Sequence, residues 1–182
     1  MGYALAEAAV ARGAETVLIS GPTGLTPPDG ATLIRFETTA QLHRAVKAAL
    51  RGADCLIMAA APADYRPVKP ASTKLKKTDA SLQLTLEPTI DILRDLSRRK
   101  KKRFIAAGFA LETDRPLENA RKKLREKKLD LIVLNRVGEN TGFDSDTNQV
   151  TILRPRRQPV VWPPAKKREI AGKLLDMIAS ML

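Results

Sequence analysis

The apolar positions of this chain follow two different periods, and their alternation predicts an α/β fold. Short continuous apolar runs are typical of buried strands, whereas apolar residues that recur every three or four positions are typical of amphipathic helices. The continuous runs predict strands at Thr16–Ile19, Leu33–Phe36, Asp54–Met58, Arg103–Gly108 and Leu129–Leu134. The recurring positions predict helices at Tyr3–Arg12, between Thr38 or Thr39 and Gly52, at Asp91–Arg99, at Pro116–Lys127 and after Pro164. Strands that alternate with helices predict a Rossmann-like domain, with a mainly parallel sheet and helices on both faces.

Two segments depart from this alternation. Leucines at alternate positions from Leu82 to Leu86 predict a half-exposed strand, which we expect to pair with the lysine-rich segment before it in a flap at about 65–87. Late in the chain, Gln149–Leu153 and Pro159–Trp162 predict a β-hairpin. No internal repeat or long linker interrupts the pattern, so one domain over residues 1–182 is the simplest organisation.

Composition and charge narrow the function classes. The formal net charge of +12, from 32 lysines and arginines against 20 acidic residues, favours an anionic partner. With one histidine and one cysteine, the chain has little material for histidine metal sites or a Ser-His-Asp triad, and no intrachain disulfide. No apolar run approaches the ~18 residues that a membrane span needs. We therefore expect a cytoplasmic protein without a membrane partner.

The stretch Ala59–Lys77 carries the first candidate chemistry. It follows the strand Asp54–Met58, begins with small residues, contains Asp64, and ends with three lysines at 74, 76 and 77. Open α/β sheets bind ligands beyond the carboxyl ends of their strands, so this basic loop is a candidate anion site. An ordinary solvated loop is an equally good interpretation from composition alone.

Other basic clusters allow two interpretations each. Lys123 and Lys127 are four residues apart on a predicted helix and therefore share one face. They can hold a polyphosphate or simply be solvated. The run Arg98–Arg103 suits nucleic acid, but its place at a helix C-terminus favours a solvated end, and few aromatic residues offer base-stacking platforms.

Several landmarks together resemble a known family. They are the Ala4-Leu-Ala6 helix, Ser20-Gly21-Pro22, Ala60–Tyr65, Lys74-Leu-Lys-Lys77, Asp91-Ile-Leu93, Gly108–Thr113, Lys123 with Lys127, Leu129–Asn135 and Gly142–Asn148. In this order and spacing the chain resembles bacterial phosphopantothenate–cysteine ligase (phosphopantothenoylcysteine synthetase), the C-terminal half of the bifunctional coenzyme A biosynthesis protein. The resemblance covers nearly the whole chain.

The resemblance implies a reaction and its partners. In that family CTP activates 4′-phosphopantothenate as an acyl-cytidylate with loss of pyrophosphate, and the amine of L-cysteine then displaces CMP. Magnesium is required, the enzyme is a homodimer, and the other half of the protein is a flavin-dependent decarboxylase. Metal ligands cannot be assigned from the residues.

The resemblance also implies site residues. Lys74, on the flap, is the candidate catalytic residue and would close over the acyl phosphate. The nucleotide-binding residues would be Met58, Ala59, Ala60, Asp64, Lys74, Thr89, Ile90, Asp91, Ile92, Phe109, Lys123 and Lys127. We expect the pyrimidine base to lie between Phe109 and the Thr89–Ile92 turn.

The chain departs from the family at three places. Thr89-Ile90 replaces the usual Asn-Pro, and Leu111 replaces an alanine, which puts details of base binding in question. Only Met1-Gly2 remains of a strand and an Asn-x-Ser-Ser-Gly loop that the family places before the first helix, so we expect a fragment that lacks an interior strand. The alternative function is a non-catalytic basic module that binds nucleotides or nucleic acid.

Overall fold

A computed structural model of the chain describes residues 1–77, 81–98, 104–112, 114–135 and 147–182. Three of the sequence features lie wholly or partly outside these residues. They are Arg99–Arg103, Thr113, and the part of the Gly142–Asn148 motif that precedes Thr147.

Helices and strands alternate as the apolar pattern predicts. The helices are α1 (Gly2–Val10), α2 (Thr39–Ala49), α3 (Ile92–Ser97), α4 (Pro116–Glu126) and α5 (Lys167–Ala179). The strands are β1 (Thr16–Ser20), β2 (Ala31–Arg35), β3 (Cys55–Met58), β4 (Tyr65–Pro67), β5 (Leu86–Pro88), β6 (Ile105–Leu111), β7 (Leu131–Asn135), β8 (Thr147–Asn148), β9 (Val150–Leu153), β10 (Val160–Val161) and β11 (Ala165–Lys166). None of the described helices combines the length and the apolar character that crossing a membrane requires.

The main sheet has five strands in the order β10-β9-β7-β6-β3. Strands β3, β6 and β7 are parallel, so their carboxyl ends meet at one edge. Strand β9 is antiparallel to β7 and forms with β10 the late hairpin that the sequence predicts. Strands β1 and β2 pair with each other in parallel but form a separate two-stranded sheet.

Helices cover both faces of the sheet, as expected for this fold class. On one face, buried side chains of α2, α3 and α4 pack against alternate strand residues such as Met58, Ala106 and Ile132. On the other face, α1 and α5 pack against the intervening residues, among them Ala107 and Val133. We call these the α3/α4 face and the α1/α5 face.

Local sequence explains where these helices begin and how closely they pack. The Thr38 hydroxyl accepts a hydrogen bond from the Gln41 amide at 3.2 Å, and the Gln41 side chain accepts one from the Thr38 amide at 2.9 Å. This reciprocal capping box fixes the start of α2. On β6, a Cβ at Gly108 would lie 3.0 Å from Leu129 and 3.1 Å from Leu93, so glycine lets α3 approach the strand.

The flap differs from its prediction. Its hairpin joins β4 to β5, with Tyr65 opposite Pro88, rather than joining the lysine segment to a strand that includes Leu82 and Leu84. The last ladder contact is the Val68 amide, which donates to the Thr85 carbonyl at 3.0 Å. Pro70 lies just beyond, and because proline has no amide hydrogen it cannot extend the ladder.

Candidate active site

The candidate site begins at the carboxyl end of β3, where the loop after Met58 meets the turn before α3. The Thr89 hydroxyl donates to the Ala63 carbonyl at 2.6 Å, and the Thr89 amide donates to the Asp64 carbonyl at 2.8 Å. The two predicted segments, Ala59–Asp64 and Thr89–Ile92, are therefore held together. Because both bonds fix backbone, the turn presents its remaining backbone groups in a defined geometry.

Helix α4 contributes two lysines through ion pairs on successive turns. Lys127 Nζ lies 2.9 Å from Asp91 Oδ2, and Lys123 Nζ lies 2.5 Å from Glu112 Oε1. Asp91 is also the N-cap of α3, because its Oδ1 accepts from the Arg94 amide at 3.1 Å. The lysine face of α4 is thereby joined to the start of α3 and to the end of β6.

These ion pairs indicate a site adapted to an anion. The Lys123 and Lys127 side chains are 44% and 26% exposed, so solvent reaches both ammonium groups. The Lys127–Asp91 pair, with both side chains partly exposed, contributes only about 0–1 kcal/mol, so the Lys127 ammonium group can turn to another anion at small cost. Glu112, whose side chain is 14% exposed, is a residue that the sequence-based list of site residues missed.

The remaining predicted site residues fall into a buried group and an exposed group. Met58 and Ile92 are 8% and 3% exposed in the core on the α3/α4 face, so only their backbone groups remain available to a ligand. Ala60 and Asp64 are exposed, and the Ile90 side chain is 43% exposed. Lys74 lies in the exposed part of the flap, and no described residue forms an ion pair or hydrogen bond with its ammonium group.

Phe109 lies on the other face of the sheet from the ion pairs. Successive residues of a strand point to opposite faces, and Phe109 packs with Ala59 against the core cluster of the α1/α5 face. Ile92 packs on the α3/α4 face. The Phe109 and Ile92 side chains therefore lie on opposite faces of the sheet, and the base pocket between Phe109 and the Thr89–Ile92 turn stays a prediction.

Asn135 is a second candidate site residue that is missing from the residues predicted from the sequence. It ends β7, opposite Leu111 of β6, at the carboxyl edge of the sheet. Its Oδ1 atom is buried and has no hydrogen-bond partner among the described residues. Buried polar atoms are nearly always paired, which makes this oxygen a candidate hydrogen-bond acceptor for a ligand. The signal in the sequence was a polar residue directly after a buried apolar strand.

Cys55 offers no nucleophile to this site. Burial above all, together with the nearby carboxylates of Asp130 and Asp54, raises the pKa of its thiol to about 11. A thiol with this pKa is almost entirely protonated at neutral pH and is unreactive. Cys55 is therefore an inert residue near the start of β3, as the sequence predicts.

The described residues do not fit a resident magnesium ion. Among them, no three acidic, histidine or cysteine side chains lie close enough together to hold a metal. Two carboxylates of the candidate site, Asp91 and Glu112, each pair with a lysine, whereas Asp64 is exposed on the loop after Met58.

Comparison with known proteins identifies the family. The family model for the DNA/pantothenate metabolism flavoprotein C-terminal domain matches residues 1–182 of this chain. The chain belongs to this family. The resemblance found in the sequence is thus confirmed, and so is the α/β fold class that it implies.

Individual relatives agree. The coenzyme A biosynthesis bifunctional protein CoaBC of Bacillus subtilis is 43% identical over all of this chain and 45% of its own length. The crystal structure of the C-terminal domain of a CoaBC protein superposes with a TM-score of 0.82 at 37% identity, over 98% of this chain and 80% of that one. A flavoprotein of the same family from Streptococcus pneumoniae shares the fold, with a TM-score of 0.80 at 23% identity over 99% of this chain and 87% of that one. The family domain thus spans about half the length of the curated relatives that it matches.

Proposed function

We propose that this domain ligates 4′-phosphopantothenate to L-cysteine with consumption of CTP, as a phosphopantothenate–cysteine ligase of coenzyme A biosynthesis. One observation carries the proposal: two solvent-accessible lysines of α4 and the fixed turn before α3 converge beside the carboxyl end of the parallel strands. This is the arrangement that a nucleoside triphosphate requires, since its base needs fixed polar groups and its phosphates need cations.

The reaction we propose has two steps. The pantothenate carboxylate attacks the α-phosphorus of CTP, and the bond between the α-phosphorus and the α,β-bridging oxygen breaks. The β- and γ-phosphates leave as pyrophosphate, and an acyl-cytidylate remains. The cysteine amine then attacks the acyl carbon, CMP departs, and the amine loses a proton. Anionic groups crowd together in the first step, so Lys123, Lys127 and the flap residue Lys74 stabilise it by neutralising phosphate charge.

Magnesium in this proposal enters with the nucleotide. Mg²⁺ is commonly held by substrate phosphates and water, with few protein ligands. This suits a site in which Asp91 and Glu112 are already paired with lysines. We place the reaction in the cytoplasm, where a single unpaired cysteine remains reduced.

A homodimer and a fused decarboxylase complete the proposal. The flap exposes large apolar side chains that a second copy can cover; they are Tyr65, Val68, Leu75, Leu82, Leu84 and Leu86. The CoaBC relatives of Bacillus subtilis and Vibrio vulnificus are about twice as long as the matched region and are named bifunctional, which supports a second enzyme in the same chain.

The first prediction is that CTP is preferred over ATP. The family match and the fixed backbone of the Thr89–Asp91 turn both favour a pyrimidine, which is smaller than a purine. Product formation from phosphopantothenate and cysteine should be followed by mass spectrometry with each nucleotide, together with pyrophosphate release. We expect product, CMP and pyrophosphate in equal amounts with CTP and a much lower rate with ATP.

A matched pair of variants tests where the reaction occurs. Lys123→Gln with Lys127→Gln should abolish turnover, whereas Arg44→Gln with Arg51→Gln, the same charge change on α2 and the turn that follows it, should not. Equal rates with CTP and ATP would contradict the pyrimidine preference. Nucleotide binding without any product, under all conditions, would favour the non-catalytic module instead.

A further inference from the structure

A second basic face of α4 forms a separate concavity with the turn after β9. Residues two apart on a helix do not share a face, so Arg121 and Arg125 point away from the side that carries Lys123 and Lys127. Leu124, between them, is buried against the sheet. The concavity has a volume of about 350 Å³ and is lined by Arg121, Leu124, Arg125, Leu153, Arg154, Pro155, Arg156, Arg157, Gln158 and Pro159. We call it the arginine pocket.

The arginine pocket lies apart from the candidate active site. Leu153, at the end of β9, pairs with Ile132 near the start of β7. The turn that follows it is therefore at the amino edge of the parallel strands, whereas Asn135 ends β7 at the carboxyl edge. Helix α4 separates the arginine pocket from the two lysine–carboxylate pairs.

Five guanidinium groups around one small concavity are an unusual concentration of charge. No described residue forms an ion pair with any of the five arginines or accepts a hydrogen bond from their side chains. Asp130 lines a neighbouring concavity with Arg154 and Arg157, and its carboxylate accepts a hydrogen bond from the Ala106 amide at 2.8 Å. Like charges repel, so holding these arginines together without an anion is unfavourable.

The shape of the turn favours a compact ligand. Arg156 adopts a left-handed backbone conformation with φ of 56°, and the Arg157 amide donates to the Arg154 carbonyl at 3.4 Å. The turn is therefore tight and places its three arginines around the concavity rather than along a stripe. A nucleic-acid surface normally extends along a groove and uses aromatic stacking, whereas no aromatic residue lines this pocket.

We propose that the arginine pocket binds a small anion with at least two phosphate groups, such as free polyphosphate or the phosphate chain of a nucleotide. Guanidinium groups match phosphate oxygens with two parallel hydrogen bonds each, which makes arginine the preferred residue for this ligand. The volume falls in the range of small-molecule sites, about 300–1,000 Å³. Leu124, Leu153 and the two prolines give the pocket an apolar floor.

The test measures tripolyphosphate binding by calorimetry at about 0.15 M salt. Three double variants are compared with the parent chain: Arg121→Gln with Arg156→Gln, Arg44→Gln with Arg51→Gln as the charge-matched control, and Lys123→Gln with Lys127→Gln. We expect the control variant to bind like the parent. The lysine variant should lose only an active-site contribution and keep the site in the arginine pocket, whereas the arginine variant should bind at this pocket at least about tenfold more weakly, because each charged hydrogen bond to phosphate is worth about a factor of ten or more. Parallel titrations with ATP distinguish nucleotides from free polyphosphate as the source of the phosphate chain.

Several outcomes would overturn the proposal. They are no binding by the parent chain, equal weakening in the arginine and control variants, or loss in the lysine variant alone, which would place the anion in the candidate active site. Tighter binding of duplex DNA than of tripolyphosphate, lost in the arginine variant, would make this face a nucleic-acid surface instead. Should the double variant unfold, Arg156→Gln alone, on the exposed turn, provides the same comparison. Ligase activity is a separate readout, so failure here leaves the proposed reaction untouched.

Discussion

At the scale of single residues, we expect a mutation of Asn135 to lower activity while leaving the free energy of unfolding nearly unchanged. Its amide oxygen is buried without a partner among the described residues, so Asn135→Ala removes no described hydrogen bond from that atom. We expect the free energy of unfolding to change by less than about 1 kcal/mol, since the mutation also removes an unsatisfied polar atom. Ligase activity should fall at least about tenfold, because the substrate loses a fixed hydrogen-bond partner.

Ser97→Ala is the matched control for Asn135. The Ser97 hydroxyl is likewise buried without a described partner, but it lies on α3 within the core. Its loss should leave activity near that of the parent chain. Urea titration and steady-state kinetics on both variants decide the matter. A stability loss above about 2 kcal/mol in Asn135→Ala would show that the amide is structural.

Lys74→Gln tests the flap lysine as the catalytic group. Lys74 is exposed and makes no described contact, so its best interaction is expected only when the acyl phosphate forms. An interaction made mainly in the transition state lowers kcat rather than raising KM. One charged hydrogen bond of this kind is worth on the order of 2–4 kcal/mol, hence roughly 30- to 1,000-fold in kcat.

Two neighbouring lysines are the natural controls for that prediction. Lys76 and Lys77 are also exposed, so the corresponding glutamine variants test whether position 74 is special. Steady-state kinetics with CTP should show the largest kcat loss at Lys74. A normal kcat with a raised KM for CTP would make Lys74 a simple binding residue, and a larger loss at Lys76 or Lys77 would transfer the role to that residue.

At the scale of elements, the sequence predicted what depends on local pattern and missed what depends on tertiary packing. Helix and strand positions followed from apolar periodicity, and the Thr38 cap was visible as a threonine three residues before Gln41. The face on which Phe109 lies depends on strand register, which periodicity alone does not fix. The partners of Lys123 and Lys127 depend on helix packing, so Glu112 could not be recognised from the sequence.

The flap gives the prediction that belongs to this scale. Leu82 and Leu84 are 68% and 62% exposed, and such side chains in one segment indicate a surface that another molecule covers. We expect the chain to sediment at twice its 19.9 kDa mass. Leu82→Ser with Leu84→Ser should shift it towards monomer, whereas Leu25→Ser, at a 58% exposed position outside the flap, should not. A parent chain that sediments as a monomer would contradict the dimer.

At the scale of the whole molecule, a further strand would join two strand edges. One is β3, at the edge of the main sheet, and the other is β1, in the two-stranded sheet. Ile19 of β1 and Met58 of β3 pack against the same core cluster, yet the two strands belong to separate sheets. Val17 of β1 remains 40% exposed. Unpaired strand edges leave backbone amides and carbonyls without partners, which is costly where apolar surface surrounds them. We propose that one more parallel strand belongs between β1 and β3.

We therefore predict that an upstream extension raises both stability and activity. About two dozen residues, roughly a strand and its loop, would be taken from the segment that precedes the matched region in the Bacillus subtilis relative. A glycine–serine extension of equal length is the control. An inserted strand buries apolar surface worth several kcal/mol against a total stability of about 5–15 kcal/mol, so the urea midpoint should rise clearly with the natural extension only. Pyrophosphate release from CTP and phosphopantothenate should rise with it, because the added loop supplies phosphate contacts beside the strand ends. If both extensions leave the urea midpoint and the activity of the 182-residue chain unchanged, β1 and β3 need no intervening strand.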